Sequence, residues 1–239
     1  FRRKASTSSN DSRWFLQGTA NQRFKKTNQR SRGQRSSRLT MSFSAFLAFP
    51  GQGSQHLSML SKGGIEKIAL SSEYSNAIEC CSDLISHDAY KLIEEGPEDL
   101  INQTSITQPL LVLCSYLHYH QLLNSINVTP TYLAGHSLGE YSALVAANSI
   151  SINEALALVR KRGQFMEQAP KGRMSAIMGL EQDTIADICE TASNGTHSNV
   201  QCANLNSPNQ TVISGHEDAV DRAQDLCIKQ GAKRSVKLN

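Results

Sequence analysis

A serine between two glycines, placed between an apolar strand-like run and an apolar helix-like run, constrains this chain more than any other feature. The turn is Gly-His-Ser-Leu-Gly at 135–139, after Thr131–Ala134 and before Ser142–Ala147. A serine in such a strand-to-helix turn sits in a sharp corner at a helix N-terminus, with its hydroxyl exposed. Glycines suit a close approach of strand and helix. The pattern predicts acyl transfer through an ester of Ser137, with a Gly/Ser turn of no chemical meaning as the alternative.

A glycine-rich turn after an earlier strand-like run supplies the second motif. The apolar run 43–49 ends in Pro-Gly-Gln-Gly-Ser-Gln at 50–55. Backbone N–H groups in such a turn can hold an anion. With the N–H of Leu138, the residue after the serine, this turn is expected to form an oxyanion hole. A phosphate-binding loop is disfavoured, because no lysine stands in the P-loop position and no Gly-x-Gly-x-x-Gly is present.

With both motifs in hand, the chain resembles the malonyl-CoA:acyl-carrier-protein transacylases of the mitochondrial and bacterial type. The resemblance covers residues 43–239. It implies an α/β fold, with a hydrolase-like large domain built on a parallel sheet and a small ferredoxin-like βαββαβ subdomain. The matching segments, in order along the chain, are Phe49–Gln55, Thr107–Pro109, Gly135–Tyr141, Lys161–Met166 and Asn204–Pro208.

The resemblance also implies the reaction. Ser137 takes malonyl from malonyl-CoA as an ester and passes it to the phosphopantetheine thiol of acyl carrier protein, in fatty acid biosynthesis and without a cofactor. Gln52 and Leu138 form the oxyanion hole. A serine esterase or thioesterase with the same elbow is the alternative enzyme. A truncated, non-catalytic form that binds coenzyme A or carrier protein is the alternative from another class.

Three residues are assigned to substrate binding by the same resemblance: Arg162, Met166 and His136. Arg162 pairs with the malonyl carboxylate, since a planar guanidinium forms two parallel hydrogen bonds to a carboxylate. The residues alone leave other interpretations open. Arg162 would read as a solvated helix residue, Met166 as core packing, and His136 as a residue that orients the backbone.

The catalytic base is the missing part of the predicted site. A serine hydroxyl needs a base, which is usually histidine. None of the seven histidines stands in a convincing position. In the family, the histidine follows the small subdomain, beyond Asn239. We therefore expect the chain as given to lack the base, to be truncated at its C-terminal end, and to be inactive alone.

Three segments are expected along the chain: a basic tail over 1–40, the N-terminal part of the large domain over 41–172, and the small subdomain over 173–239. Helices are predicted over 64–82, 90–95 and 108–125, and from Asn153 as N-cap to a break at Pro170. In the small subdomain the predicted order is strand 174–180, helix 183–192, strand 200–205, strand 210–214, helix 217–230 and strand 233–238.

The tail carries the excess of positive over negative charge in this chain. Residues 1–40 hold eleven Lys and Arg against one acid, Asp11. Such a segment cannot bury a core and is expected to be disordered. A transit peptide to the mitochondrial matrix is the favoured interpretation. There are two alternatives. The tail is a nucleic-acid-binding arm, or it is an extension before a true start at Met41, in which case the protein is cytoplasmic.

Composition excludes several other classes. No run of about twenty apolar residues is present, so no membrane helix is predicted. The six cysteines form no Cys-x-x-Cys and the histidines are scattered, so buried thiols and no metal site are expected. We expect a monomer whose partners are a coenzyme A thioester and acyl carrier protein, without nucleic acid or membrane.

Overall fold

The computed structural model describes residues 45–126, 130–195 and 197–238. The predicted basic tail over 1–40 lies outside the described residues. The chain divides into two compact units, and the boundary falls between Gln168 and Ala169. The unit boundary lies four residues before the boundary expected from the sequence.

Two parallel strands organise the first unit. Strand β1 (Ala45–Phe49) pairs with β2 (Pro130–Gly135), and Phe49 lies opposite Gly135 in the register. Parallel strands end at the same edge of a sheet. The glycine-rich turn after β1 and the serine turn after β2 therefore lie side by side, which is what the chemistry predicted for them requires.

Seven helices accompany these strands among the described residues of the first unit. The prediction of one long helix over 64–82 is wrong in one respect, because a turn at 70–74 divides this segment into two helices. There Ser75 Oγ donates to the Ser72 carbonyl at 3.0 Å, a local bond that competes with the helical pattern. The helices are α1 (Glu66–Ala69), α2 (Ser75–Ile85), α3 (Ala89–Glu95), α4 (Glu98–Ile101), α5 (Thr104–Ser125), α6 (Gly139–Ala146) and α7 (Ile152–Gln168).

Helix α5 is the centre of the first core. Its residues 105–115 and Leu117 are all buried, as the nearly all-round apolar pattern predicts. It begins at Thr104, four residues earlier than predicted, so Pro109 lies in its second turn rather than at its start. Helices α2 and α7 pack on it through Cys81, Leu156 and Val159, which are buried in the same cluster. Each large apolar side chain buried in this way contributes roughly 1.5–3 kcal/mol.

Helix α7 begins with a capping box rather than with the cap predicted from the sequence. Ser151 Oγ accepts from the Glu154 N–H at 3.2 Å, while Glu154 Oε2 accepts from the Ser151 N–H at 2.9 Å. The prediction of Asn153 as the N-cap is therefore wrong. The Asn153 side chain instead donates to Asn76 Oδ1 at 3.1 Å. The reciprocal bonds between Ser151 and Glu154 satisfy two N–H donors at the helix start at once.

The second unit is a four-stranded antiparallel sheet with two helices. Its strand order, β4-β5-β3-β6, and its chain order, βαββαβ, are those of a ferredoxin-like module, as predicted. Helices α8 and α9 cover the sheet, and Ile177, Ile185, Ile213 and Val220 are among the buried residues of this core. The elements are β3 (Arg173–Met178), α8 (Gln182–Ser193), β4 (Val200–Ser207), β5 (Gln210–Gly215), α9 (Glu217–Lys229) and β6 (Arg234–Leu238).

The described residues bear on membrane and metal functions in two ways. Over the described ranges, no helix combines the length and apolar character needed to span a bilayer. Over the same ranges, no three His, Cys, Asp or Glu side chains group closely enough to hold a metal ion. All six cysteines are free thiols, and four of them are buried: Cys81, Cys114, Cys189 and Cys227.

Candidate active site

The serine turn has the strained geometry of a nucleophile elbow. Ser137 has φ +53°, in the left-handed region that L-residues rarely adopt. A Cβ on Gly135 would lie 1.9 Å from the Gly139 carbonyl carbon, and a Cβ on Gly139 would lie 2.2 Å from the Phe49 oxygen. Both glycines are therefore required by the close contact of strand and helix. The half-buried Ser137 hydroxyl stands directly before α6 as a result.

The glycine-rich turn is fixed by its own hydrogen bonds. Ser54 Oγ donates to the Gly51 carbonyl at 2.9 Å, and the Gly53 N–H donates to Gln55 Oε1 at 2.8 Å. Two further bonds tie the turn to the start of α5. Gln52 Nε2 donates to Thr104 Oγ1 at 3.1 Å, and Gln55 Nε2 donates to Asn102 Oδ1 at 3.0 Å. The turn is thus held at a defined position beside the elbow.

The two residues predicted for the oxyanion hole, Gln52 and Leu138, each have a backbone N–H available. Within the described part of the chain, neither N–H donates a hydrogen bond to another protein group. The Leu138 side chain is only 1% exposed, which anchors the turn in the core. The Leu138 N–H also lies at the N-terminus of α6, where the helix dipole favours negative charge.

Arg162 lies against the serine. Its Nη2 donates to Ser137 Oγ at 3.0 Å, and its Nη1 donates to Gln108 Oε1 at 2.8 Å. Gln108 itself is fully buried in α5. Arg162 is therefore a positioned cation next to the serine, and the interpretation as a solvated helix residue is wrong.

Met166 and His136 are the remaining residues predicted for substrate binding. Met166 Sδ lies 3.2 Å from Gln108 Nε2, and its side chain is 49% exposed, so core packing does not explain it. The His136 N–H donates to the Phe49 carbonyl at 3.2 Å, which links the two strand ends. The His136 side chain is exposed and lies beside Gly51, whose Cβ would stand 3.2 Å from Nδ1.

Sequence reasoning missed two residues that the structure brings to this site, Gln108 and Thr104. Gln108 holds Arg162, and Thr104 holds the Gln52 side chain. A signal for Gln108 was present, because a glutamine inside a nearly continuous apolar run is buried only when its amide is paired. Nothing comparable distinguishes Thr104, since threonine is common in the first turn of a helix.

Among the described residues, no histidine forms a hydrogen bond with the Ser137 hydroxyl. The side chain that does so is Arg162. His118 Nδ1 bonds the Cys114 carbonyl at 2.8 Å, and burial lowers its pKa. His120 packs against Tyr116 with ring centroids 4.5 Å apart, and burial lowers its pKa as well. His56 Nδ1 bonds the neighbouring Leu57 carbonyl at 2.9 Å.

Known proteins share both the sequence and the fold. The acyl transferase domain family matches residues 46–239. The malonyl CoA-acyl carrier protein transacylase of Escherichia coli (strain K12) is 41% identical over 193 residues, covering 80% of this chain and 60% of that protein. The solved malonyl CoA-acyl carrier protein transacylase of Coxiella burnetii has a TM-score of 0.70 at 42% identity, covering 81% of this chain and 60% of that one. A malonyl-transacylase solved in complex with a type II polyketide-synthase acyl-carrier protein has a TM-score of 0.68 at 38% identity, covering 81% and 62%.

Fold and site define an α/β protein with a serine elbow, an adjacent pair of backbone donors and a cation at the serine. Since the family match takes in most of the sequence, the chain belongs to the acyl transferase domain family. Its relatives confirm the resemblance to malonyl-CoA:acyl-carrier-protein transacylases and the predicted fold class. The chain spans about 60% of the length of the curated relatives it matches.

Proposed function

We propose that this protein transfers malonyl from malonyl-CoA to the phosphopantetheine thiol of an acyl carrier protein, in fatty acid biosynthesis, through a Ser137 ester. One observation carries the proposal. Arg162 Nη2 stands 3.0 Å from Ser137 Oγ, so a fixed cation faces any acyl group that the serine receives. An esterase acting on neutral acyl groups has no use for that charge.

Malonyl fits this arrangement because a single methylene separates its carboxylate from the carbonyl carbon that bonds the serine oxygen. A carboxylate at that distance from Oγ is within reach of the Arg162 guanidinium, which can bind it through two parallel bonds. Gln108 already occupies Nη1 at 2.8 Å and orients the guanidinium plane. In this proposal Met166, partly exposed beside Gln108, contacts the acyl group, and His136, beside Gly51, contacts the thioester.

In the first half-reaction, the Ser137 oxygen bonds the malonyl carbonyl carbon, and the bond to the coenzyme A sulfur breaks. The coenzyme A thiol leaves with a proton. The N–H groups of Gln52 and Leu138 receive the carbonyl oxygen as its negative charge develops. In the second half-reaction, the carrier-protein sulfur bonds the carbonyl carbon, the ester bond to the Ser137 oxygen breaks, and the thiol proton passes to that oxygen. No cofactor takes part, and the base that moves the proton is not a contact of Ser137 in the described residues.

The experiment that tests this proposal is covalent labelling. The full-length protein, incubated with malonyl-CoA and no acceptor, should carry one malonyl group on the peptide that contains Ser137, detected by mass spectrometry. Addition of holo acyl carrier protein should remove the label and yield malonyl carrier protein. Ser149→Ala, a substitution of an exposed serine just beyond α6, is the matched control and should label normally.

Three outcomes would count against the proposal. Labelling that persists in Ser137→Ala would exclude this serine as the nucleophile. Release of malonate to water instead of transfer would favour a thioesterase. Tight binding of coenzyme A or of carrier protein without any ester would favour a non-catalytic binding protein.

We propose further that the protein acts in the mitochondrial matrix. The support is the composition of residues 1–40, which are rich in Arg and Ser and hold one acid. A reporter fused to residues 1–40 should enter mitochondria. A fusion that begins at Met41 is the control, and a diffuse cytosolic signal from the longer fusion would favour the cytoplasmic alternative.

A further inference from the structure

The start of α5 is bound by α7 at one residue, Ser105. Helix α5 lacks a side-chain cap of its own, since Gln103 at the N-cap position accepts no such bond. The Ser105 N–H, which would otherwise be unsatisfied at a helix end, donates to Glu167 Oε1 at 2.8 Å. A carboxylate is well suited to that position because the helix dipole is positive there.

The carbonyl group of Ser105 is also bound by a side chain of α7. Pro109 has no N–H, so the Ser105 carbonyl, four residues earlier, lacks the donor that a regular helix would supply. Arg160 Nη1 donates to that carbonyl at 2.8 Å. Between the two contacts, a Cβ on Gly163 would lie 2.5 Å from Ser105 Cα, so the helices touch through their backbones.

These three contacts come from one face of α7, because residues 160, 163 and 167 recur at the spacing of helical turns. The neighbouring face of the same helix carries Arg162 and Met166, which meet Gln108. On α5, Ser105 lies between the two residues that serve the site. Thr104, just before it, accepts from Gln52, and Gln108 follows one turn later.

We propose that Glu167 and Arg160 are positioning residues of the acyl site, an inference that rests on the function proposed above. They bind the N–H and carbonyl of Ser105, hold the first turn of α5 against α7, and thereby set Gln108 against Arg162. Neither side chain touches the substrate. Their effect falls mainly on malonyl, because only an acyl group with a carboxylate uses the Arg162 guanidinium.

The first test compares malonyl with acetyl transfer in the full-length protein. Glu167→Ala should lower kcat/KM for malonyl about tenfold, chiefly through KM, and should lower the malonyl-to-acetyl ratio, since a hydrogen bond to a charged group is lost. Glu167→Gln keeps an acceptor oxygen and should retain most of the ratio. Gln168→Ala, an exposed neighbour on α7, is the control and should behave as the wild type.

The second test uses the proline. Arg160→Met keeps the aliphatic stem and removes the donor, and it should also lower the malonyl-to-acetyl ratio. Pro109→Ala adds an N–H that can bond the Ser105 carbonyl within the helix. The double variant should therefore recover a ratio close to that of Pro109→Ala alone, a non-additivity that general destabilisation does not produce.

The outcomes separate this inference from the proposed function. Two results would overturn the positioning role alone, provided that the wild type transfers malonyl. One is an unchanged malonyl-to-acetyl ratio in Glu167→Ala. The other is failure of Pro109→Ala to restore that ratio in Arg160→Met. Absence of malonyl transfer by the wild type would overturn both. Amide exchange at Ser105, which needs no substrate, should be faster in Glu167→Ala, and unchanged exchange would show that the contact does not hold the helix start.

Discussion

Arg162 and Ser137 lie 25 residues apart in sequence, and a guanidinium nitrogen of the first stands 3.0 Å from the hydroxyl oxygen of the second. Helix α7 carries the arginine and the turn after β2 carries the serine. The buried amide of Gln108 holds the other guanidinium nitrogen at 2.8 Å. A cation is thus fixed beside the serine hydroxyl, and the proposed selection for a carboxylate rests on that placement.

Arg162→Ala is expected to reduce malonyl transfer by about a hundredfold or more while it spares acetyl transfer. Each tenfold loss corresponds to about 1.4 kcal/mol, and removal of one partner of a desolvated charge pair costs about 2–5 kcal/mol. Arg162→Lys should recover little, because an ammonium cannot form two parallel bonds. Steady-state rates with both thioesters provide the measurement, and equal losses for the two would make Arg162 a structural residue.

Gln108→Glu is expected to raise KM for malonyl about tenfold or more. The new carboxylate would pair with Arg162 in a buried position and compete with the carboxylate of the substrate. Gln168→Glu introduces the same charge at an exposed position of α7 and is the matched control. An unchanged KM in Gln108→Glu would show that a carboxylate at position 108 does not compete with the substrate for Arg162.

Gly163→Ala is expected to destabilise the first unit by about 1–3 kcal/mol, the usual cost of inserting a methyl group where no space exists. The added Cβ would lie 2.5 Å from Ser105 Cα, and backbone atoms cannot rotate away as a flexible side chain can. Thermal or denaturant unfolding measures the change. Leu158→Ala, on the half-exposed side of α7, should cost much less; a neutral Gly163→Ala would mean that the two helices separate easily.

The thiols should divide into two groups on alkylation. Burial raises the pKa of Cys189 to about 12 and of Cys227 to about 11, and it raises the pKa of Cys114 as well. A raised pKa keeps these thiols protonated at neutral pH, so the reactive thiolate is scarce until the protein unfolds. Cys80 and Cys202 are only partly buried and should be modified first in the folded protein, faster as the pH rises.

Peptide mass spectrometry after brief alkylation at pH 7.5 and pH 9 distinguishes the six sites. The same reaction in denaturant is the control and should modify all of them. Rapid modification of Cys189 in the folded protein would show that α8 opens readily from the sheet of the second unit.

Residues 1–239 produced as a separate protein are expected to transfer malonyl at a negligible rate. In the described residues the Ser137 hydroxyl is bonded to a guanidinium, which cannot accept its proton. In a comparable serine hydrolase, loss of one triad member leaves about 10³–10⁴-fold acceleration over water. Robust transfer in the malonyl-CoA assay would show that a base lies within these residues.

The same protein should also be prone to aggregation. Phe46 is 49% exposed and Tyr132 is 66% exposed on the two paired strands of the parallel sheet. Exposed apolar side chains on strands with open edges favour association between chains. Size-exclusion chromatography should show less association for the double variant Phe46→Ser, Tyr132→Ser than for the unchanged residues 1–239. Equal association would show that the contacts between chains involve other residues.

Local sequence determined the elements that depend on neighbours along the chain. The apolar runs before and after Ser137, with glycines at 135 and 139, were enough to predict the elbow, because strand, turn and helix propensities act over a few residues. The alternating elements after residue 173 were enough to predict the ferredoxin-like order for the same reason. The motif resemblance placed Arg162 at the site before any distance was known.

Only the tertiary structure decided what holds Arg162 there. Gln108 and Arg162 are 54 residues apart, and Ser105 and Glu167 are 62 apart. No periodicity or propensity links such positions, because their contact arises from the packing of α5 on α7 around one glycine. The cap of α7 is a different case, because a local rule accounts for it. Ser151 and Glu154 have the Ser-x-x-Glu spacing of a capping box, and the prediction of Asn153 as the cap overlooked that spacing.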